Sequence, residues 1–405
     1  MTFPTHWATP RARFTFSHRD VRGVDAPLAS ATKDGVTLRS DLGFSVWNPD
    51  SNVSNYKLVE PNDFVIGLRS FQHGISHSTV RGIVSPAYTI LRPRQDADPR
   101  FYKHYFRSGL LISQLANITQ GIRQGQAIDI EAFRNLRVPL PPLEDQRRIA
   151  DFLDFETSHI DRLAQLFNRL SDLAINRARA VIDDAFAQYP SESMVPVSTT
   201  CSAIFDCVNK TAPASDEATG YTMIRTSNIR HGVVDLTDAL SVEHSVFAEW
   251  NRRGAPRVGD VLFTREAPLG QAGILRSDAR VFLGQRIMLY RANDQRINNE
   301  LLLFNFLASH MDRQLRLLGA GSLHEHMRVG DGLKLRVYCP PREDQDALVS
   351  EIESGRSQSL RLADVAQRQI DLLAERRQAL ITAAVTGQFD VSTASGRNVT
   401  EGVSV

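Results

Sequence analysis

The chain carries the same helix-starting phrase twice. Residues 134–146 read RNLRVPLPPLEDQ and residues 333–345 read LKLRVYCPPREDQ, 199 positions apart in a chain of 405. Three weaker matches precede each copy in the same order. Segment 61–69 (PNDFVIGLR) pairs with 258–265 (VGDVLFTR), 85–92 (SPAYTILR) with 284–291 (GQRIMLYR), and 119–128 (TQGIRQGQAI) with 318–328 (LGAGSLHEHMR). Four matches in order, at offsets of 197 to 199, mark an internal duplication, and that decides the architecture before local propensity does.

Each copy has two parts with different periodicities. The first holds short β-like runs broken by Gly, Pro and Asn: 64–68 (FVIGL), 86–91 (PAYTIL), 221–225 (YTMIR), 259–264 (GDVLFT) and 287–290 (IMLY). A stretch with helical spacing follows in each, 99–118 and 298–318. The second part is a long amphipathic helix. Apolar residues Ile149, Leu153, Ile160, Leu163, Phe167, Leu170, Leu173 and Ile182 recur at three- and four-residue steps, as do Leu348, Ile352, Leu360, Leu362, Val365, Ile370, Leu373, Leu380 and Ile381. The pairs Pro141-Pro142 and Pro340-Pro341 fix the helix starts, because proline suits a first turn but not an interior. Leu143-Glu144-Asp145-Gln146 puts carboxylates at the positive end of the helix dipole, and Gly387 suits a C-terminal cap. Each helix predicts about 40 residues, or roughly 60 Å at 1.5 Å per residue.

The expected fold is therefore α+β with an internal pseudo-two-fold repeat. Two tandem α/β domains (1–140 and 191–339) are each followed by a long helix (141–190 and 340–390). The two helices pair as an antiparallel coiled-coil spacer, and 391–405 forms a disordered tail.

The net charge of +1 conceals an alternation. Residues 1–140 carry 17 Lys+Arg against 11 Asp+Glu and residues 191–339 carry 17 against 16, whereas 141–190 carry 6 against 9 and 340–405 carry 7 against 10. Positive charge thus sits in the domains and negative charge in the helices, and phosphate binding follows local charge rather than the sum. Basic residues are 42 arginines and five lysines, and a guanidinium can grip both phosphates and guanine edges. Cys201, Cys207 and Cys339 are an odd number without metal-like spacing, so neither a disulfide framework nor a zinc site is expected. No run approaches the ~20 apolar residues of a membrane span, and the N-terminus lacks a signal-peptide core. A cytoplasmic, membrane-free protein is expected.

The run from Pro141-Pro142-Leu143-Glu144-Asp145-Gln146 to Phe152-Leu153-Asp154, its second copy, and the stretch Leu380 to Asp390 (LITAAVTGQFD) resemble the specificity subunit of type I restriction-modification systems. The resemblance covers nearly the whole chain and is specific in the helical regions; Arg342 departs from it, standing where an apolar residue is usual. It implies that the two α/β domains are target-recognition domains reading double-stranded DNA on either side of an unread gap. It also implies that two methyltransferase subunits dock on the helices and that restriction (motor-nuclease) subunits add to that core. Two similar but non-identical readers held apart by a rigid spacer should read two half-sites at fixed separation.

No catalytic constellation stands against that reading. The sequence lacks a G-x-x-x-x-G-K-[ST] loop, G-x-G-x-x-G and H-E-x-x-H, and Gly319-Ala320-Gly321-Ser322 lacks the lysine of a phosphate loop. An Asn-Pro-Pro-aromatic methyltransferase motif is also missing. This chain is expected to be no enzyme and to bind no cofactor or metal; S-adenosylmethionine, ATP and Mg belong to the partners that the resemblance implies. His73 with His77, and His324-Glu325-His326, show no obvious third metal ligand.

DNA contacts are expected on domain loops. In the first domain the candidates are Arg69, His73, His77, Arg81, Arg123, Gln124 and Gln126. The cluster Arg123-Gln124-Gly125-Gln126 joins a guanine reader to adenine-reading amides, with Gly125 allowing close backbone approach. In the second they are Arg225, Asn228, Arg230, His231, Arg265, Arg286, His324, His326 and Arg328. Any one of these arginines could instead be a solvated charge or a phosphate contact, which positions without reading. The alternative function is an orphan DNA-binding or interaction protein of the same fold without an active methyltransferase partner.

Overall fold

The computed structural model describes residues 3–42, 53–120, 127–319 and 326–391. Predicted readers Arg123, Gln124, Gln126 and His324 lie outside the described residues, as does the tail from 392 onward. The chain divides into two compact units, Met1–Leu166 with Gln369–Val405, and Phe167–Arg368.

In the first unit a four-stranded antiparallel sheet runs in the order Phe16–Arg19, Thr89–Pro93, Phe64–Ile66, Ser76–His77. Helices Pro99–Tyr105 and Gly109–Asn117 cover its inner face. Packing is aromatic: the Phe16 and Tyr102 rings meet edge-to-face at 4.9 Å and Phe64 and Phe106 at 4.8 Å, a geometry that adds to the area each ring buries. The hairpin Ala29–Thr32/Gly35–Leu38 is a separate two-stranded sheet packed against this one, Ala29 and Val36 sharing a small core with Val65 and Ile90.

The second unit repeats the plan. Its six-stranded sheet begins in the corresponding order, Cys201–Asp206, Ile287–Ala292, Val261–Thr264, Ala272–Ile274, again antiparallel, and continues with Gly232–Val234 and Ile229–Arg230. Helices Asn299–Leu307 and Ser309–Gly319 pack on it as their counterparts do. An added three-stranded sheet (Leu240–Ser241, Tyr221–Ile224, Arg280–Leu283) with helix His244–Trp250 has its own small core around Trp250 and Phe282. The duplication read from four short segments is thus a duplication of topology.

The helical stretches 99–118 and 298–318 are two helices each. The Ser108 hydroxyl caps a fresh helix by accepting the Leu111 N–H, and Ser309 Oγ and N–H both bind Asp183, at 2.6 and 2.8 Å. In the first case a serine hydroxyl and in the second an aspartate carboxylate takes up a backbone N–H at the new helix start.

The long helices are Leu143–Phe186 and Arg342–Val385, 44 residues each. Within the first unit the start of one lies against the end of the other, with Arg377 Nε 3.1 Å from Asp161 and the Phe152 ring 5.5 Å from Phe389. Within the second the assignment is reversed, and Val181 sits so close to Gly355 that a Cβ there would fall 2.7 Å from its Cγ1. The pairing is antiparallel in both. Gly387 follows the second helix at φ +71, in the left-handed region where a C-terminal glycine is favoured. Arg342 keeps outward, bonding the Asp294 carbonyl and the Asp346 carboxylate. Among the described residues no helix is long and apolar enough to cross a membrane.

Each helix start is fixed to its domain by a fully buried glutamine. Gln146 accepts the Asp98 N–H at 2.7 Å and donates to the Asp96 and Pro141 carbonyls, both at 2.8 Å. Gln345 accepts the Asn298 N–H at 2.7 Å and donates to the Arg296 and Pro340 carbonyls at 2.9 and 2.8 Å. One primary amide supplies both the acceptor and the donors the locus needs.

Candidate nucleic-acid interface

In the first unit, strand Phe64–Ile66 leads through Gly67 and Leu68 to Arg69 and the single-turn helix Ser70–His73. Gly74 follows at φ +80, and a Cβ there would meet the Phe106 carbonyl at 2.1 Å, so this turn requires glycine. Arg69 and His73 are exposed and line one cleft of about 640 Å³, joined by Lys33 from the turn of the hairpin. The Arg69 guanidinium has no hydrogen bond or ion pair among the described residues, which leaves it available to a ligand.

His77 and Arg81 lie elsewhere. His77 is half-buried in a separate cavity of about 690 Å³ with Lys103, His104, Arg107 and Asp154. Burial first, then the Lys103 and Arg107 charges, push its pKa down to about 4, so the ring is neutral at physiological pH. The Asp154 carboxylate beside it is held well below the usual range by hydrogen bonds from His104 and Lys103. Arg81 is exposed beside Asn62 and Arg92. The two histidines at i, i+4 therefore face different cavities, and among the described residues no group of three His, Cys, Asp or Glu is placed to hold a metal ion. Strands Thr119–Gln120 and Ala127–Ile128 pair antiparallel, so the predicted Arg123-Gln124 reader is bracketed by a hairpin stem.

In the second unit several candidates converge beyond one end of the larger sheet. Thr264 and Ile287 are the last pair there. Just past them, the Arg265 N–H donates to the Arg286 carbonyl at 2.7 Å, and the Met327 N–H donates to the Arg265 carbonyl at 3.0 Å. Thr226 Oγ1 donates to the Ala267 carbonyl at 3.0 Å, tying in the Arg225–Asn228 turn. His326 and Arg328 flank Met327 and are exposed.

Two of these candidates spend their polar groups inside the protein. Asn228, 6% exposed, accepts the Arg225 N–H at 2.9 Å and closes its own turn. Arg265, 9% exposed, pairs with Asp206 at 3.1 Å and donates to the Met327 carbonyl. Arg225 bonds the Asp238 carbonyl, and Arg286, at φ +71, pairs with Glu266 at 2.9 Å. Arg230 is exposed at the turn between Ile229–Arg230 and Gly232–Val234; neighbouring His231 faces a pocket on the long helices instead.

Sequence reasoning passed over Lys33, Lys103 and Arg107. The signal for Lys33 was present: Thr32-Lys33-Asp34-Gly35 carries the Asp-Gly dipeptide of a tight hairpin, which presents a lysine at its tip. No comparable signal marks Lys103, on helix Pro99–Tyr105, or Arg107 just beyond it.

Residues 82–170 match the family described as type I restriction modification DNA specificity domain. Along most of its length the chain is similar to the type I restriction enzyme EcoKI specificity subunit of Escherichia coli (strain K12), 22% identical over 348 residues, 80% of this chain and 74% of that protein. It is also similar to the MjaVIII specificity subunit of Methanocaldococcus jannaschii, 19% identical over 349 residues, 82% and 80% of the two chains. A solved chain from work on complex assembly and conformational transition of the type I R-M system shares the fold, with a TM-score of 0.59 and 18% identity over 96% of this chain and all of that one. The resemblance read in the sequence is borne out in these likenesses and in the fold.

Proposed function

We propose that this chain is the specificity subunit of a type I restriction-modification complex, reading a split, asymmetric target in double-stranded DNA. The observation that carries this reading is one scaffold built twice with two different loop sets. The loops around the two sheets differ, carrying Arg69, His73 and Lys33 in the first unit but the Arg225–Asn228 turn, Arg286 and Arg328 in the second. Related but unequal readers suit unequal half-sites.

The long helices serve as the docking surface for methyltransferase subunits, to which restriction subunits then add. They leave large apolar side chains exposed: Phe155 and Leu166 in the first unit, Leu173, Leu362 and Val365 in the second. Such patches mark binding surfaces. The chain itself contributes recognition rather than catalysis and acts in the cytoplasm; S-adenosylmethionine, ATP and Mg are held by its partners.

Single-molecule methylation sequencing of host DNA with and without the gene tests the proposal. A bipartite methylated motif that disappears on deletion is the expected result, and an unchanged methylome overturns it. Leu163→Pro tests docking: Leu163 is 42% exposed within its helix, and proline there costs about 3 kcal/mol or more. The variant should no longer co-elute with the methyltransferase.

A further inference from the structure

Arg356 is a buried cation without a bonded counter-charge. It lies on the second long helix within the second unit, is 9% exposed, and its Nε has no acceptor. No ion pair or hydrogen bond to its guanidinium occurs among the described residues. The Phe304 ring sits 5.1 Å beneath it and stabilises only the face of the group. The nearest carboxylates are engaged or turned out: Glu300 is paired with Arg276 at 2.7 Å, and Glu353 is exposed. The Nε is cut off both from water and from any acceptor among the described residues, which is costly for a charged group, so an acceptor supplied by a ligand is the natural complement.

The guanidinium lines a pocket of about 160 Å³ that also holds Arg179, His231, Asn176 and Gln271. Arg179 is oriented by Asp312 at 2.6 Å and the Leu307 carbonyl at 3.0 Å. The space admits a tetrahedral oxyanion together with water.

We propose that this pocket binds a phosphate-type oxyanion, with Arg356 as its bidentate charge partner and Arg179 and His231 at its rim. Fork-shaped recognition of phosphate is what the guanidinium geometry favours. Two sources share this chemistry, free phosphate and a phosphodiester of the DNA backbone. Only the second rests on the DNA-reading proposal.

The test uses the full chain and inorganic phosphate as probe. Phosphate should raise the melting temperature relative to chloride at equal ionic strength. Arg356→Met should abolish that shift, and Arg356→Lys, which keeps the charge but not the fork, should weaken it. Binding of a random-sequence duplex is then titrated against salt. If the oxyanion is a DNA phosphate, Arg356→Met lowers the slope of log Kd against log salt by about one unit; a phosphate shift with an unchanged slope assigns the pocket to the free ion. The proposal is overturned if wild type responds to phosphate and chloride alike and Arg356→Met leaves the salt slope unchanged. The methylome experiment scores the DNA-reading proposal separately.

Discussion

Arg291 grips the buried carboxylate of Asp260 with two parallel hydrogen bonds, 2.9 Å from Nε to Oδ1 and 2.7 Å from Nη2 to Oδ2. The Arg257 N–H, three residues earlier, donates to the same Oδ2 at 2.7 Å. The first unit repeats the device: Arg92 Nε lies 2.8 Å from Asp63, and Asp63 accepts the Glu60 N–H at 2.9 Å. In both units the aspartate closes the turn that precedes a central strand. Removing one partner of a buried pair costs about 3–5 kcal/mol, because the other charge is left uncompensated. Asp260→Asn should fall near the lower end of that range by chemical denaturation, since Arg291 keeps some exposure. Asp63→Asn should cost a similar amount, since Asp63 is paired both with Arg92 and with Arg19, the latter 3.3 Å away and only 17% exposed. A loss under about 0.5 kcal/mol at Asp260, within the range of an ordinary surface substitution, would refute the structural role.

Gln345→Leu keeps the side chain's approximate volume but strands the Asn298 N–H and two carbonyls. Each unsatisfied buried group costs about 1–3 kcal/mol, and Gln146→Leu should behave alike in the first unit. The direct readout is hydrogen exchange. The Asn298 amide should lose protection in the Gln345 variant and the Asp98 amide in the Gln146 variant. Unchanged protection would mean that these amides find another acceptor.

His310 predicts a pH dependence. The ring is 5% exposed, its Nε2 has no partner among the described residues, and it packs edge-on against Phe186 at 5.6 Å and Tyr338 at 5.0 Å. Burial pushes its pKa down to about 4. Between about 4 and the unfolded value of 6.5 the unfolded chain holds a proton that the folded chain refuses. Stability therefore falls as pH drops through that window, by up to about 3 kcal/mol from this group. His310→Phe should lose less melting temperature than wild type between pH 7 and pH 4.5. Equal losses would assign the acid sensitivity to other groups, such as His77.

The hairpin stem around residues 121–126 sets a test of the reading proposal itself. Changing Arg123 and Gln124 together to alanine should weaken binding at one half-site and spare the other. Equal affinity of wild type and variant for both the true target and random DNA would exclude this loop as a reader.

The duplicated Pro-Pro-x-x-x-Gln phrase disclosed the scaffold because helix starts and amphipathic stripes are local and periodic. The helices read as 141–190 and 340–390 are Leu143–Phe186 and Arg342–Val385. The interface was far less legible. His73 and His77, four residues apart, reach different cavities because a glycine turn and a change of strand lie between them. Asn228 and Arg265 carry side chains suited to reading bases, yet both bond within the fold, and no spacing rule distinguishes an amide that closes a turn from one that meets a ligand. The significance of Arg356 was hidden for the opposite reason: it matters through the counter-charge it lacks, and only packing reveals that.

The glutamine locks grip peptide groups above all, Gln345 adding only a 3.9 Å contact to the Cys339 sulfur. Asp98 contributes an N–H, Asp96 and Pro141 contribute carbonyls, and the second unit offers the same three kinds of atom. Every residue except proline carries that pair of groups, so these bonds make no demand on the side chains of the domain residues that form them. Loops away from the joint can therefore change without disturbing either glutamine. The fold thus separates what must stay fixed from what selection is free to rewrite.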